Sequence, residues 1–266
     1  MNYARLCLFF LVFGAIKTPA QDTFQLAPPY LRYASVFFEK STTVAMEFAQ
    51  PGTQIHYTTN GQEPSERDPV YTHPIQLKKS LTTLKAKVFG AGFMPSATAT
   101  ATFYKKGLAI DSISTPLPHE RYPGTGAFSL IDGQGGNSSY LSKTWMGFQS
   151  DDVMITLKLK KPKKVKQVLL HVLENQDAWI FQAQKISVFY LVNDPKGWMM
   201  IGTKTFSPEA QRATKASCQA LLVDTKYLKI KTTDLLVIIY PLAKLPDWHP
   251  GKGSPAWLFL DEVKVY

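Results

Sequence analysis

Cysteine is almost absent from this chain: there are two in 266 residues, Cys7 and Cys218. Long apolar runs are scarce as well. The longest covers residues 6–16, well short of the roughly 20 residues that a membrane-spanning helix needs. Arg5 precedes it, and Thr18, Pro19 and Ala20 stand ahead of Gln21. Residues 1–20 therefore read as a secretory signal peptide, cut after Ala20 or one residue later. Cys7 would leave with that leader, and it sits too early for a lipid attachment site. Only Cys218 then remains, which excludes an intramolecular disulfide and the common cysteine-based zinc sites. The mature protein is expected to be exported, to a periplasm, a cell surface or the medium, with no membrane span.

Catalytic signatures are missing too. There is no His-Glu-x-x-His helix, no nucleophile elbow and no phosphate-binding glycine loop, and His56, His73, His119, His171 and His249 are widely separated. Glycoside hydrolysis needs two carboxyl groups facing each other across a bond. Asp151-Asp152 and Asp261-Glu262 are neighbours on extended chain, where successive side chains diverge. No enzymatic activity is expected.

Acidic residues are outnumbered, 20 against 30 Lys and Arg, for a formal charge of +10. Arg5 and Lys17 belong to the leader, so the mature charge is 10 − 2 = +8. Much of the excess is local: Lys158, Lys160, Lys161, Lys163, Lys164 and Lys166 surround Pro162. Such a run reads as a solvated turn between strands whose lysines discourage edge pairing, or as a contact for anionic glycans or an acidic surface. Nucleic acid is not an expected partner of an exported chain without a recognisable binding motif.

What the chain does have is aromatic residues, at 12%, and turn formers, 16 Gly and 18 Pro. No amphipathic helix of convincing length appears. Alternating runs do: TTVAMEFA (42–49), QIHYTT (54–59), TTLKAKVF (82–89), ITLKL (155–159), VKQVLLHVL (165–173), KISVFYLV (185–192), WMMIGT (198–203), YLKIKT (227–232) and LLVIIYPLA (235–243). Period-two patterning broken by Asn60-Gly61, Pro64, Pro69 and Pro74 predicts an all-β protein of two modest domains. Residues 105–122 lack periodicity and are expected to link the two or to open the second. At the end, Trp257, Phe259, Asp261, Val263 and Val265 alternate with Leu258, Leu260, Glu262 and Lys264, predicting a closing strand that sends Asp261 and Glu262 to opposite sides.

Two resemblances follow. Tyr57-Thr58-Thr59-Asn60-Gly61, Glu63-Pro64, Val70-Tyr71, Pro74-Ile75, Leu84-Lys85-Ala86 and Gly92 to Ser96 together resemble the small β-sandwich at the C-terminus of chitobiases and β-hexosaminidases, with Asn60 in place of the usual aspartate. That resemblance covers about residues 33–105 and implies an immunoglobulin- or fibronectin-like accessory sandwich without catalytic residues. Leu130-Ile131-Asp132-Gly133, Trp145-Met146-Gly147-Phe148, the run 153–159, Trp179-Ile180-Phe181 and the ending from Ala256-Trp257 to Glu262 resemble the discoidin, or coagulation-factor C type, galactose-binding-like domain of bacterial hexosaminidases and fucosidases. This one implies a jelly-roll sandwich. One departure is residues 193–198, where the family has a tighter turn. The implied organisation is a leader over 1–20, a chitobiase C-terminal-like sandwich over 21–105 and a discoidin-like sandwich over 106–266.

The second resemblance also implies a structural calcium between the loop at Asp132, with oxygens from Ser129, Gln134, Asn137 or Ser139, and Glu262 on the last strand. Calcium takes six to eight hard oxygens, and its removal would lower the melting temperature. The alternative is a tight turn capped by Asp132 with Glu262 in water. For a sugar, an aromatic ring must lie against the C–H face of a pyranose while charged or amide groups meet its hydroxyls. Trp248, His249 and Lys252 meet that description from a Pro- and Gly-rich loop, and Gln176, Asp177 and Trp179 can join them from another. Trp248 can instead cap the barrel or contact the first domain, while Trp145 and Trp257 read as packing. The reading is an exported carbohydrate-binding protein of bacterial type, for galactose- or N-acetylhexosamine-type glycans. The alternative is a structural or adhesion module that docks a protein, such as a glycoside hydrolase or a cell-surface partner.

Overall fold

In the computed structural model, which describes residues 24–266 apart from 136, 150, 194–195, 209, 211, 214 and 227–230, the alternating runs become strands. The leader expected over 1–20 lies outside the described residues, as does most of the strand expected over 227–232. The first part of the chain forms β1 (Tyr30–Arg32), β2 (Phe37–Phe38), β3 (Thr42–Glu47), β4 (Thr53–Thr58), β5 (Ile75–Leu77), β6 (Leu81–Gly90) and β7 (Ala99–Lys105). One sheet runs in the order β1-β3-β5 and the facing one β2-β7-β6-β4. Along β6, Thr82, Leu84, Ala86 and Val88 are buried in alternation, and Leu84, Ala86 and Val88 pack with Val44, Met46 and Phe103 between the sheets. Asn60-Gly61 makes the expected turn: Gly61 takes φ 81°, and Asn60 Oδ1 accepts from the Gln62 N–H at 3.0 Å. The asparagine thus makes the turn bond an aspartate would make.

The rest of the chain forms β8 (Ile110–Ser114), β9 (Met146–Gln149), β10 (Val153–Lys163), β11 (Gln167–Glu174), β12 (Lys185–Asn193), β13 (Lys196–Thr205), β14 (Ser217–Asp224), β15 (Thr232–Tyr240) and β16 (Trp257–Val265). A five-stranded sheet, β13-β12-β15-β10-β8, faces a four-stranded one, β14-β11-β16-β9. The only helical turns among the described residues are two short 3₁₀ segments, Ala127–Ile131 and Gln176–Ala178. The protein is all-β, two sandwiches in sequence. Ile155, Leu157, Val168, Leu170, Val172, Val188, Val237 and Leu260 fill the second core. Three strands of this sandwich, β8, β9 and β14, lie outside the alternating runs. β8 lies in the segment expected to be aperiodic, and β14, SCQALLVD, is apolar on both faces, Leu221 and Val223 entering the core while Ala220 and Leu222 pack on the Phe37–Tyr104 cluster, so neither carries a clean alternation. Asn193 pairs with Lys196 in the segment where the sequence departs from the family.

The closing strand departs from simple alternation. His171 pairs with Glu262 but Val172 with Leu260, so Asp261 is an extra residue, a β-bulge. One inserted residue reverses the parity of everything beyond it. Leu258 and Leu260 face the main core, and after the bulge so do Val263 and Val265. Trp257 and Phe259 face the other way, into a separate aromatic cluster. Asp261 and Glu262 therefore share the outer side with Lys264, where the sequence predicted that they would diverge.

That outer side is covered by the first sandwich. Phe37 and Tyr104 close on Leu169, and both rings stand edge-on to the His171 imidazole at 5.3 Å. Trp145 stacks on His171 from another side, 5.9 Å away at 14°. His171 Nδ1–H donates to Asp261 Oδ1 at 2.6 Å, with both side chains buried. The connection is short: the Leu108 N–H donates to Val265 O at 2.7 Å, and Tyr266 Oη–H to Lys105 O at 2.8 Å.

Candidate functional site

Three loops meet at one end of the second sandwich: 175–184 after β11, 206–216 after β13 and 241–256 after β15. Asn175 and Ile180 exchange backbone hydrogen bonds, 3.0 Å each way. This tight closure leaves Trp179 at φ 66°, the only described non-glycine residue with a positive φ. A bulky residue in the left-handed region costs about 1–3 kcal/mol and persists only where its surroundings fix it. They do so here. The Trp179 N–H donates to Gln176 O at 2.9 Å, and Trp179 O accepts from the Trp257 N–H at 2.8 Å. Its ring rests on Gly251, where an added Cβ would come within 2.7 Å of the indole.

Trp248 and Trp179 are 39% and 38% exposed, and each meets the edge of His249, at 5.7 and 5.8 Å. Trp248 leans on buried Phe181 from 6.1 Å. The Arg212 guanidinium lies 5.8 Å from its ring. Arg212 was not singled out in the sequence, because nothing in the aperiodic loop 206–216 marks it. Asp177 is exposed, and exposed Lys252 lies 3.7 Å from Asp247. Two of the residues expected to touch sugar do not fit that role. His249 is buried, its Nε2–H donating to Gln176 O at 2.8 Å while its Nδ1 accepts from the Gly251 N–H at 3.0 Å. Gln176 is buried as well, donating through Nε2 to Glu174 at 3.0 Å and accepting at Oε1 from the Ala213 N–H at 2.7 Å. The reason is general: buried loop backbone groups need partners, and these two side chains supply them. They pin the three loops together and leave Trp248, Trp179, Arg212, Asp177 and Lys252 at the surface.

Trp145 packs as expected, buried with its Nε1–H donating to Asn137 O at 3.1 Å. Trp257 is half-buried among His119, Tyr122 and Phe259. Burial, helped by Asp261, pushes the Cys218 thiol up to about 12, which lowers its thiolate fraction at neutral pH.

The loop at Asp132 does meet the last strand, the Gly133 N–H donating to Glu262 Oε2 at 2.9 Å. The remaining contacts do not fit calcium. Asp132 Oδ1 accepts from the Gln134 N–H at 2.7 Å, Asn137 Oδ1 from the Ser139 N–H at 2.9 Å, and Ser129 Oγ–H donates to Gly126 O at 2.8 Å. Lys264 Nζ lies 3.0 Å from Glu262 Oε1, both side chains buried, and 4.6 Å from the Phe37 ring centre. An ammonium group therefore stands where the ion's charge would be, and a divalent cation beside it would meet strong repulsion in a medium of low dielectric. Burial pushes the Glu262 carboxyl up to about 8 against the pull of Lys264 and the Gly133 N–H, with Asp132 adding to the rise. Of the residues that the sequence-based reading assigned to a calcium, Asp132, Ser129, Gln134, Asn137, Ser139 and Glu262, the last therefore has the Lys264 ammonium as its neighbour.

Several solved structures are similar at low identity. The family 32 carbohydrate-binding module of Streptococcus pneumoniae EndoD is 15% identical, with 60% of this chain and 96% of that one covered at a TM-score of 0.37. The family 32 module of Clostridium perfringens NanJ, solved in complex with galactose, is 11% identical, with coverages of 58% and 91% at 0.36. A SusE-like protein is 11% identical, with coverages of 88% and 95% at 0.36. No curated protein matches the chain. In the first sandwich the relationship is carried by sequence, and residues 34–101 match the family model of the chitobiase/beta-hexosaminidase C-terminal domain.

Proposed function

We propose that this is an exported, non-catalytic protein of two modules, 21–105 and 106–266, that binds glycans through the loop end of the second. The observation that supports it most is the pair of half-exposed indoles, Trp179 and Trp248, flanking buried His249. An indole offers a flat apolar face to the C–H groups of a pyranose. Arg212, Asp177 and Lys252 lie around the two rings and provide charged donors and an acceptor for hydroxyls. The strain held at Trp179 adds weight, since a costly backbone conformation maintained at a surface loop is where function is to be sought. The discoidin-like sequence features make galactose and N-acetylhexosamines the first sugars to test.

Calorimetric titration of the purified protein against these sugars and their oligomers tests the reading. Trp248→Ala and Trp179→Ala should each weaken binding by about tenfold or more, with circular dichroism and melting temperature showing that the fold persists. Unchanged affinity in both variants, or binding to no glycan on an array, would overturn it. Export is tested separately: the N-terminus of the secreted protein should begin at Gln21 or one residue later.

A further inference from the structure

The lysine run and the aromatic residues of β13 play no part in the loop site. They meet on the outer face of the five-stranded sheet. In the order β13-β12-β15-β10-β8, β10 is an interior strand, paired through Lys158 with both Asp234 and Ser112. Lys158 therefore guards no edge, and Lys160, whose N–H donates to Ala109 O at 3.0 Å, guards none either. Edge protection does not explain them.

One row crosses the face. Trp198 pairs with Leu191. The pairing of Tyr190 with Leu235 sets Leu191 beside Asp234, and Lys158 and Ser112 complete the row. With strands about 4.8 Å apart, five of them span about 19 Å, the length of a short oligosaccharide. A groove of about 270 Å³ follows this row, lined by Ser112, Ser114, Thr156, Lys158, Trp198 and Asp234. Trp198 is 42% exposed, and Asp234 Oδ2 accepts from Thr233 Oγ1–H at 2.6 Å. Next to the row, Met200, Phe189 and Leu236 extend the apolar floor, while Lys160 and the lysines around Pro162 continue the positive charge at the other end.

The geometry points to a second binding site, on this sheet face, for an acidic saccharide chain carrying carboxylate or sulfate groups. Trp198 stacks on a sugar ring, the hydroxyls of Ser112, Ser114 and Thr156 and the Asp234 carboxylate meet its hydroxyls, and Lys158 and Lys160 pair with the acid groups. The site shares no residue with the loop end and stands whether or not that end binds sugar.

Affinity electrophoresis of the full mature chain through gels containing polygalacturonate, dextran sulfate or neutral dextran tests it. Retardation is expected in polygalacturonate or dextran sulfate and not in dextran, and the gel that retards identifies the acid group. Trp198→Ala keeps the net charge and should weaken retardation roughly tenfold. The exposed pair Lys158→Ser and Lys160→Ser should weaken it at least as much, and Trp248→Ala should leave it unchanged. Melting curves confirm that each variant is folded. The proposal is overturned by free passage through both charged gels. It is equally overturned if Trp198→Ala is retarded like the wild type, which would reduce the effect to charge attraction, or if Trp248→Ala abolishes retardation, which would place the polymer on the loops.

Discussion

Glu262 shows how much a single side chain depends on what packs over it. On an exposed strand it would be an ordinary carboxylate. Here burial beneath the first sandwich raises its pKa to about 8. An acid whose folded pKa exceeds its unfolded value binds more protons in the native state, so this group destabilises the fold increasingly as pH rises from the usual carboxylate range toward 8. Melting temperature should therefore decline over that window, and Glu262→Gln, which cannot ionise, should flatten the decline. A variant with the same pH profile as the wild type would refute this. Sequence reasoning placed Glu262 correctly opposite the Asp132 loop, through the resemblance alone. It could not see Lys264 turning to the same side, because the parity of β16 is reset by one bulged residue that leaves no mark in an alternating sequence.

Among the elements, the loop 241–256 and the strand β16 each carry a prediction. Gly251 is held in place by the Trp179 ring, so Gly251→Ala would push the indole out of position. Glycan affinity should fall several-fold while the melting temperature moves by only about 1–3 °C, since the site is at the surface. Equal titration curves for variant and wild type would dissociate Trp179 from the site. For β16, Lys264→Met removes the cation that pulls the buried Glu262 carboxyl down, so the Glu262 pKa should rise further and the pH range over which the denaturant midpoint falls should move up with it. Adding a chelator or millimolar calcium to the wild type should leave the midpoint where it is, and a rise with calcium would restore the ion to the Asp132 loop. The strands themselves were largely legible: β3, β4, β6, β10, β11, β12, β13 and β15 all overlap alternating runs. β8 and β14 were not, because β8 is largely exposed and β14 is covered on both faces, by the core and by the first sandwich, and either condition removes the contrast on which the pattern depends.

At the scale of the whole molecule, the two sandwiches are joined through a packed interface around Phe37, Tyr104, Leu169 and His171, not by the linker alone. Phe37 stacks on Tyr104 at 5.1 Å and lies beneath the Lys264 ammonium. Replacing it with alanine removes contacts on both sides of the joint at a cost of about 3–5 kcal/mol. The wild type should melt in one calorimetric transition, whereas Phe37→Ala should show the first sandwich melting earlier and separately. A single unshifted transition in the variant would mean that the joint carries no stability. The sequence by itself determined the all-β class, the turn at Asn60-Gly61 and the aromatic content of the loop end, because each follows from local periodicity and residue type, while the order of two sandwiches came through the two resemblances. Only the tertiary structure decided that His249 and Gln176 brace the loops from within, that Asp261 and Glu262 share a side with Lys264, and that Trp198 and Lys158 line one groove. Those outcomes depend on strand order, on a bulge and on which surface covers which, and none of these is set by residues close together in the chain.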